Sequence, residues 1–126
     1  MILNFSYLPI KFKYDLIDYF FKNRAKVNLN GKLGFIDEKG NEIVECKYDW
    51  VDDFNENRAG VCINNKYGFI DQYGNEITEI KYDLIYNFYN NKAIVKLNSK
   101  DGVIDENGNE IVKCKYNWIN RFKENR

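Results

Sequence analysis

One unit of 34 residues recurs almost four times in this chain of 126 residues, and that periodicity limits the possible folds more than any other feature. The triplet Lys-Tyr-Asp/Asn stands at Lys13-Tyr14-Asp15, Lys47-Tyr48-Asp49, Lys81-Tyr82-Asp83 and Lys115-Tyr116-Asn117, each step 34 residues with no insertion. In the same register come Phe20, Phe54, Phe88 and Phe122, then Asn23, Asn57, Asn91 and Asn125. Ala25, Ala59 and Ala93 share a phase, as do Val27, Val61 and Val95. Gly-Phe/Val-Ile-Asp begins at Gly34, Gly68 and Gly102, and a second glycine at Gly40, Gly74 and Gly108 precedes Asn-Glu-Ile each time.

Each unit reads as β structure. Ala59, Val61 and Ile63 alternate with Gly60 and Cys62, the period of a strand with one buried face. Asn30-Gly31, Asn64-Asn65 and Asn98-Ser99 follow as two-residue hairpin turns, whose central residues need positive φ. The return strand is Lys66-Tyr67-Gly68-Phe69-Ile70-Asp71 and its equivalents. The next turn, Asp37 to Asn41 in the first unit, sets Gly at a left-handed position and Asp where its carboxylate bonds the turn backbone. A short third strand is expected around Ile43-Val44, Ile77-Thr78 and Ile111-Val112. Tyr48, Val51 and Phe54 are spaced like a helical turn, so this stretch is read as a bend or a single 3₁₀ turn. One unit has too few apolar side chains to order itself, so units must share faces with their neighbours.

Composition narrows the function classes. The 19 basic and 19 acidic residues balance, with the charges interspersed, which argues against a nucleic-acid binder. Histidine is absent, removing the usual neutral-pH acid/base and metal ligand. No apolar run is long enough for a membrane span, and the start lacks the pattern of a signal peptide. Three cysteines without paired spacing fit a reduced, cytoplasmic setting.

The pattern resembles the bacterial WG-repeat family, also called KWG repeats. Lys66-Tyr67-Gly68-Phe69-Ile70-Asp71, Tyr82-Asp83, Phe88 and Ala93 match its unit, and Pro9-Ile10 before Tyr14-Asp15 matches its Pro before Tyr. The naming Trp is replaced by Leu33, Tyr67 and Asp101. Leu and Tyr can pack there; an unpaired Asp101 cannot be buried cheaply, which points to an altered or exposed site in that unit. The resemblance implies a β-rich interaction or scaffold module with no catalytic residues and no cofactor to carry over.

The repeat separates structural residues from candidate functional ones. Tyr14, Tyr48, Tyr82 and Tyr116 read as packing elements between units, hydroxyls bonded locally. Asp37, Asp71 and Asp105 read as turn caps, because the alternating acidic positions of a calcium loop are missing. Cys46 and Cys114 share a phase with Ile80 and Phe12, a core position, whereas Cys62 shares one with Asn28 and Lys96 and is expected to be more exposed. Trp50 and Trp118, in phase with Leu16 and Leu84, read as core. Tyr7, Tyr19, Tyr73, Tyr86 and Tyr89 break the period. Of these Tyr73, Tyr86 and Tyr89 are the candidate binding residues, since Tyr is enriched at interfaces; no catalytic or metal-binding set is expected.

The expected fold is all-β: tandem repeats, each a hairpin plus a short third strand, stacked as an open array, with a closed propeller-like ring as the alternative. The chain divides as a single repeat domain, with a partial unit 1–33, units 34–67 and 68–101, and a truncated unit 102–126. The last unit lacks its hairpin, which leaves an edge open to self-association or a partner, and which a fragment of a longer array would also show. The expected function is non-enzymatic protein interaction or scaffolding, with an unidentified protein partner and neither nucleic acid nor membrane. The alternative is a carbohydrate- or cell-wall-binding module, which an exposed row of Tyr or Trp at repeat spacing would favour.

Overall fold

Two-residue turns set the strand pattern. The computed structural model describes residues 13–119. In it Asn30-Gly31, Asn64-Asn65 and Asn98-Ser99 all have positive φ, as expected of turns whose twist matches that of the flanking strands. A second set does the same at Lys22-Asn23, Glu56-Asn57 and Asn90-Asn91. The recurrent Asn23, Asn57 and Asn91 are therefore turn residues, a role their spacing alone did not reveal.

The described residues contain strands and turns and form two compact units that divide between Val51 and Asp52. The first holds β1 (Leu16–Phe21), β2 (Arg24–Leu29), β3 (Lys32–Asp37), β4 (Glu42–Tyr48) and the short β5 (Trp50–Val51). The second holds β6 (Arg58–Ile63), β7 (Lys66–Asp71), β8 (Leu84–Ile85), β9 (Lys92–Leu97), β10 (Lys100–Asp105) and β11 (Glu110–Tyr116). In the first unit β1, β2, β3 and β4 form an antiparallel sheet in that order; in the second, β8 to β11 do likewise and β6 pairs with β7. The fold is mainly β and built of tandem repeats, and none of these sheets closes on itself.

The glycine that opens each Gly-Phe/Val-Ile-Asp run is required by the third strand. On β3 and β4 the register passes from Leu33↔Tyr48 to Phe35↔Val44, and on β10 and β11 from Asp101↔Tyr116 to Val103↔Val112. Two steps on one strand thus face four on the other, and the surplus residues bulge across the glycine. A Cβ on Gly102 would lie 2.6 Å from the Val112 carbonyl oxygen and 2.8 Å from the Cys114 sulfur.

The middle repeat departs from the expectation of a third strand at Ile77-Thr78. There only single bridges remain, Ile70↔Glu76 and Tyr67↔Tyr82. Thr78 stands where its counterparts have Val44 and Val112, and its hydroxyl oxygen accepts the Phe69 N–H at 3.1 Å. A side chain thereby takes a bond that strand backbone would otherwise make. The first and last third strands, at seven residues each, are longer than expected. Of the two readings of Tyr48 to Phe54, a bend or a single 3₁₀ turn, the structure has the bend, at Asp49, and it leads into the short strand β5. Tyr48, Val51 and Phe54 are all buried, as their shared spacing requires, but the bend rather than a helix aligns them.

Each unit has its own apolar core. Tyr14, Ala25, Val27 and Ile36 form one, with Ile17, Leu29 and Cys46 packed against it. Phe69, Tyr82, Phe88, Ala93, Val95 and Ile104 form the other, with Ile77, Ile85, Leu97 and Cys114 at its margin. Cys46 and Cys114 thus sit where phase placed them. Cys62, expected nearer the surface, is buried instead, because residues 59–62 of β6 are covered on both faces.

Contacts between repeats are visible within the second unit. Phe88 packs edge-on against Phe69 of the preceding hairpin, ring centroids 4.8 Å apart. The Glu56 carboxylate accepts the N–H groups of Asn90 and Asn91 at 3.0 and 2.9 Å, and the Arg58 Nε donates to the Glu106 carbonyl at 2.9 Å. Asp83 bridges two hairpins: one oxygen pairs with Lys66, the other accepts the Asn98 N–H at 2.9 Å. Lys66 and the Asn98 amide hold this carboxyl below the usual carboxylate range.

Candidate functional site

The apolar pairs Leu16-Ile17, Trp50-Val51, Leu84-Ile85 and Trp118-Ile119 recur once per repeat. In a strand, adjacent side chains point to opposite faces, so only one of each pair can meet the core. Val51 is buried and Ile17 and Ile85 pack against the two cores. Leu16, Trp50, Leu84 and Trp118 are turned outward, with 38 to 65 % of their surface in solvent. The expectation that both tryptophans lie in the core is therefore corrected. The doubled apolar residues in an extended segment were the signal that could have shown this.

In the first unit these residues border a groove of about 240 Å³. Val27, Leu33 and Val51 contribute its apolar lining together with Leu16 and Trp50. Asp18, Lys26 and Asn28 supply polar groups to the same groove. Leu33 occupies the position at which the resemblance expects Trp, and packs as an apolar residue there. The groove combines an aromatic face, an aliphatic surface and both signs of charge.

The corresponding positions of the second unit hold Leu84, Tyr86, Lys96, Asp101 and Trp118. At Asp101 an altered or exposed site was expected; the site is altered rather than exposed, with Asp101 only 4 % exposed. The reason is pairing. Lys96 Nζ lies 2.6 Å from one of its oxygens, and the Ile119 N–H donates to the other at 2.8 Å. The bond from Asp101 raises the Lys96 pKa, keeping the ammonium charged. Trp118, one residue before that amide, is exposed.

The three candidate tyrosines occupy two loops. Tyr73 is well exposed in the turn after β7, where its N–H donates to Asp71 at 2.9 Å. Tyr86 and Tyr89 lie between β8 and β9; Tyr86 is half-buried and Tyr89 exposed. Their backbones pair with β9 through Ile94 and Lys92. Of the other period-breaking tyrosines, Tyr19 is the most exposed and Tyr7 lies outside the described residues.

Other ionisable groups are tied into structure. Asp37, Asp71 and Asp105 cap their turns through the backbone of Asn41, Asn75 and Asn109. The hydroxyls of Tyr14 and Tyr82 donate to Glu42 and Glu110. Burial, reinforced by these carboxylates, raises both phenol pKa values, while the Tyr82 hydroxyl lowers that of Glu110. Lys13 and Lys81 complete the pattern, each over its tyrosine ring and paired with the same glutamate. Tyr116, in phase with these, is exposed rather than packed. Burial raises the thiol pKa of Cys46 and Cys114, the reverse of an activated nucleophile. Among the described residues no group of three or more Cys, Asp and Glu side chains is placed to hold a metal ion, and no helix is long and apolar enough to cross a membrane.

A family model for the WG containing repeat matches residues 10–32, 34–67, 67–100 and 102–126. No curated protein and no solved structure matches the chain. Four tandem matches spanning most of the sequence, on strands and turns that repeat in the same register, place the chain in the WG-repeat family.

Proposed function

We propose that this protein is a non-enzymatic interaction module whose outward Leu and Trp positions dock a protein partner. The observation that carries this reading is the groove bordered by Leu16 and Trp50. Large apolar side chains left in water at one phase of a repeat mark a contact surface, and Trp is among the residues that dominate binding energy at interfaces. The polar groups of Asp18, Lys26 and Asn28 give a partner peptide hydrogen-bonding positions around an apolar anchor. The free cysteines fit a reducing, cytoplasmic setting. Among the described residues β11 is the outer strand of its sheet, with Ile111 and Tyr116 in solvent, and it offers a second edge to a partner strand.

A carbohydrate ligand is the second reading, favoured by Trp50 beside the carboxylate and amide of Asp18 and Asn28. One experiment separates the two. The protein is panned against a displayed peptide library and, in parallel, against immobilised polysaccharides, both with the wild type and with Trp50→Ala. Peptides with a large apolar anchor, lost with Trp50→Ala, support the protein reading. Polysaccharide retention that depends on Trp50, with no peptide enriched, would replace it by the carbohydrate reading.

A further inference from the structure

β1 differs from its counterparts. β5 and β8 are two residues long, and the chain then leaves the sheet so that Phe54 and Phe88 enter the core at 7 % and 2 % exposure. β1 instead continues for six residues alongside β2, and Phe20, in the same phase, remains 49 % exposed. Tyr19 and Phe21 are exposed beside it. Among the described residues β1 is the outer strand of its sheet, so its outer edge carries three consecutive aromatics.

The backbone on this edge is positioned to pair. Lys22-Asn23 is a two-residue turn with φ of 52° and 65°, and it brings Phe21 opposite Arg24. In such a hairpin the residues flanking the turn bond each other, and the next residue along presents its N–H and C=O outward. That residue is Phe20. A one-residue irregularity follows between Ile17 and Phe20, where the Tyr19 N–H donates to Asp18 Oδ1 at 2.8 Å. The free edge is thus centred on Phe20 rather than on the middle of the strand.

Charge identifies the occupant. Asp18 lies two residues before Phe20 and Lys22 two residues after it, both exposed. The segment is self-complementary when reversed. An antiparallel copy centred on Phe20 sets Phe20 against Phe20, Tyr19 against Phe21, and Asp18 against Lys22 on both sides of the axis. Cross-strand aromatic pairs and opposite charges are favourable in this arrangement. We propose that two copies of this chain associate as a two-fold dimer through antiparallel pairing of β1, with Phe20 on the axis. The contact is isologous and closes at two copies.

The test is sedimentation velocity of the full chain from micromolar to millimolar concentration. The expected result is a monomer–dimer equilibrium weakened by salt, because the end pairs are exposed. Phe20→Lys abolishes the dimer, whereas Ile111→Lys on β11 leaves it intact. Asp18→Lys and Lys22→Asp each raise the dissociation constant roughly tenfold, and the double exchange restores it. A monomer throughout the range overturns the proposal. So does a dimer that survives Phe20→Lys, one that Ile111→Lys dissociates, or single charge variants that the double exchange does not rescue. The Trp50→Ala variant leaves the equilibrium unchanged, so failure here does not bear on the groove, nor failure there on β1.

Discussion

At the scale of single residues, glycines at two phases of the repeat serve unlike purposes. Gly31 is a turn residue at φ 83° with nothing within 4 Å of a would-be Cβ, so its requirement is conformational. Gly102 lies under the bulge of β11, where a Cβ would strike backbone, so its requirement is spatial. Gly31→Ala is expected to cost about 1 kcal/mol, the ordinary penalty of a left-handed alanine. Gly102→Ala is expected to cost about 2 kcal/mol or more, because β11 must move. Chemical denaturation measures both, and equal losses would refute the distinction. Asp101 shows a third kind of constraint. Where the family resemblance expects an aromatic residue, this chain buries a carboxylate and pairs it with Lys96 and a backbone amide.

At the scale of elements, carboxylates fasten turns and hairpins. The backbone N–H of Asn109 holds Asp105 below the ordinary carboxylate range, Lys66 does so for Asp83, and the Tyr82 hydroxyl for Glu110. A carboxyl whose folded pKa lies below its unfolded value stabilises the fold above the unfolded value. That stability is lost as pH falls through the folded one. The denaturation midpoint is therefore expected to be level from neutral pH down to about pH 4, the unperturbed range, and to drop below it. Asp105→Asn keeps a turn-forming side chain, and its stability is expected to fall less steeply in acid. A wild-type midpoint unchanged well below that range would remove these carboxylates as fasteners.

At the scale of the molecule, stability passes from repeat to neighbouring repeat. Phe88 joins hairpins through Phe69, and the Arg58 guanidinium lies 5.7 Å from its ring centre. Phe88→Ala is expected to cost about 3–5 kcal/mol, the range for emptying a packed aromatic site. In an array held by nearest-neighbour contacts, the loss is shared by the elements that meet there. Hydrogen exchange is expected to show β6, β7, β9 and β10 losing protection together. Loss confined to the loop around Phe88 would argue against coupling between repeats.

The period, the β class, the Asn-Gly-type turns and the capping role of Asp37, Asp71 and Asp105 were legible in the sequence, because each depends on residues close together in the chain. Local geometry acts the same way in every unit, so repetition alone exposes it. The side a residue faces was less legible. Trp50 and Trp118 were read inward because their phase is apolar, yet Val51 and Ile119 compete for the same face and a strand admits one of the two. Thr78 redirects a strand, Asp101 is buried beside Lys96, and Cys62 is covered on both faces through contacts that sequence neighbours do not determine. Phe20, Phe54 and Phe88 share one phase and end in two environments. The repeat therefore determines which residues are equivalent, and tertiary packing decides which equivalent residues remain in solvent, because exposure depends on what lies against each side chain in space.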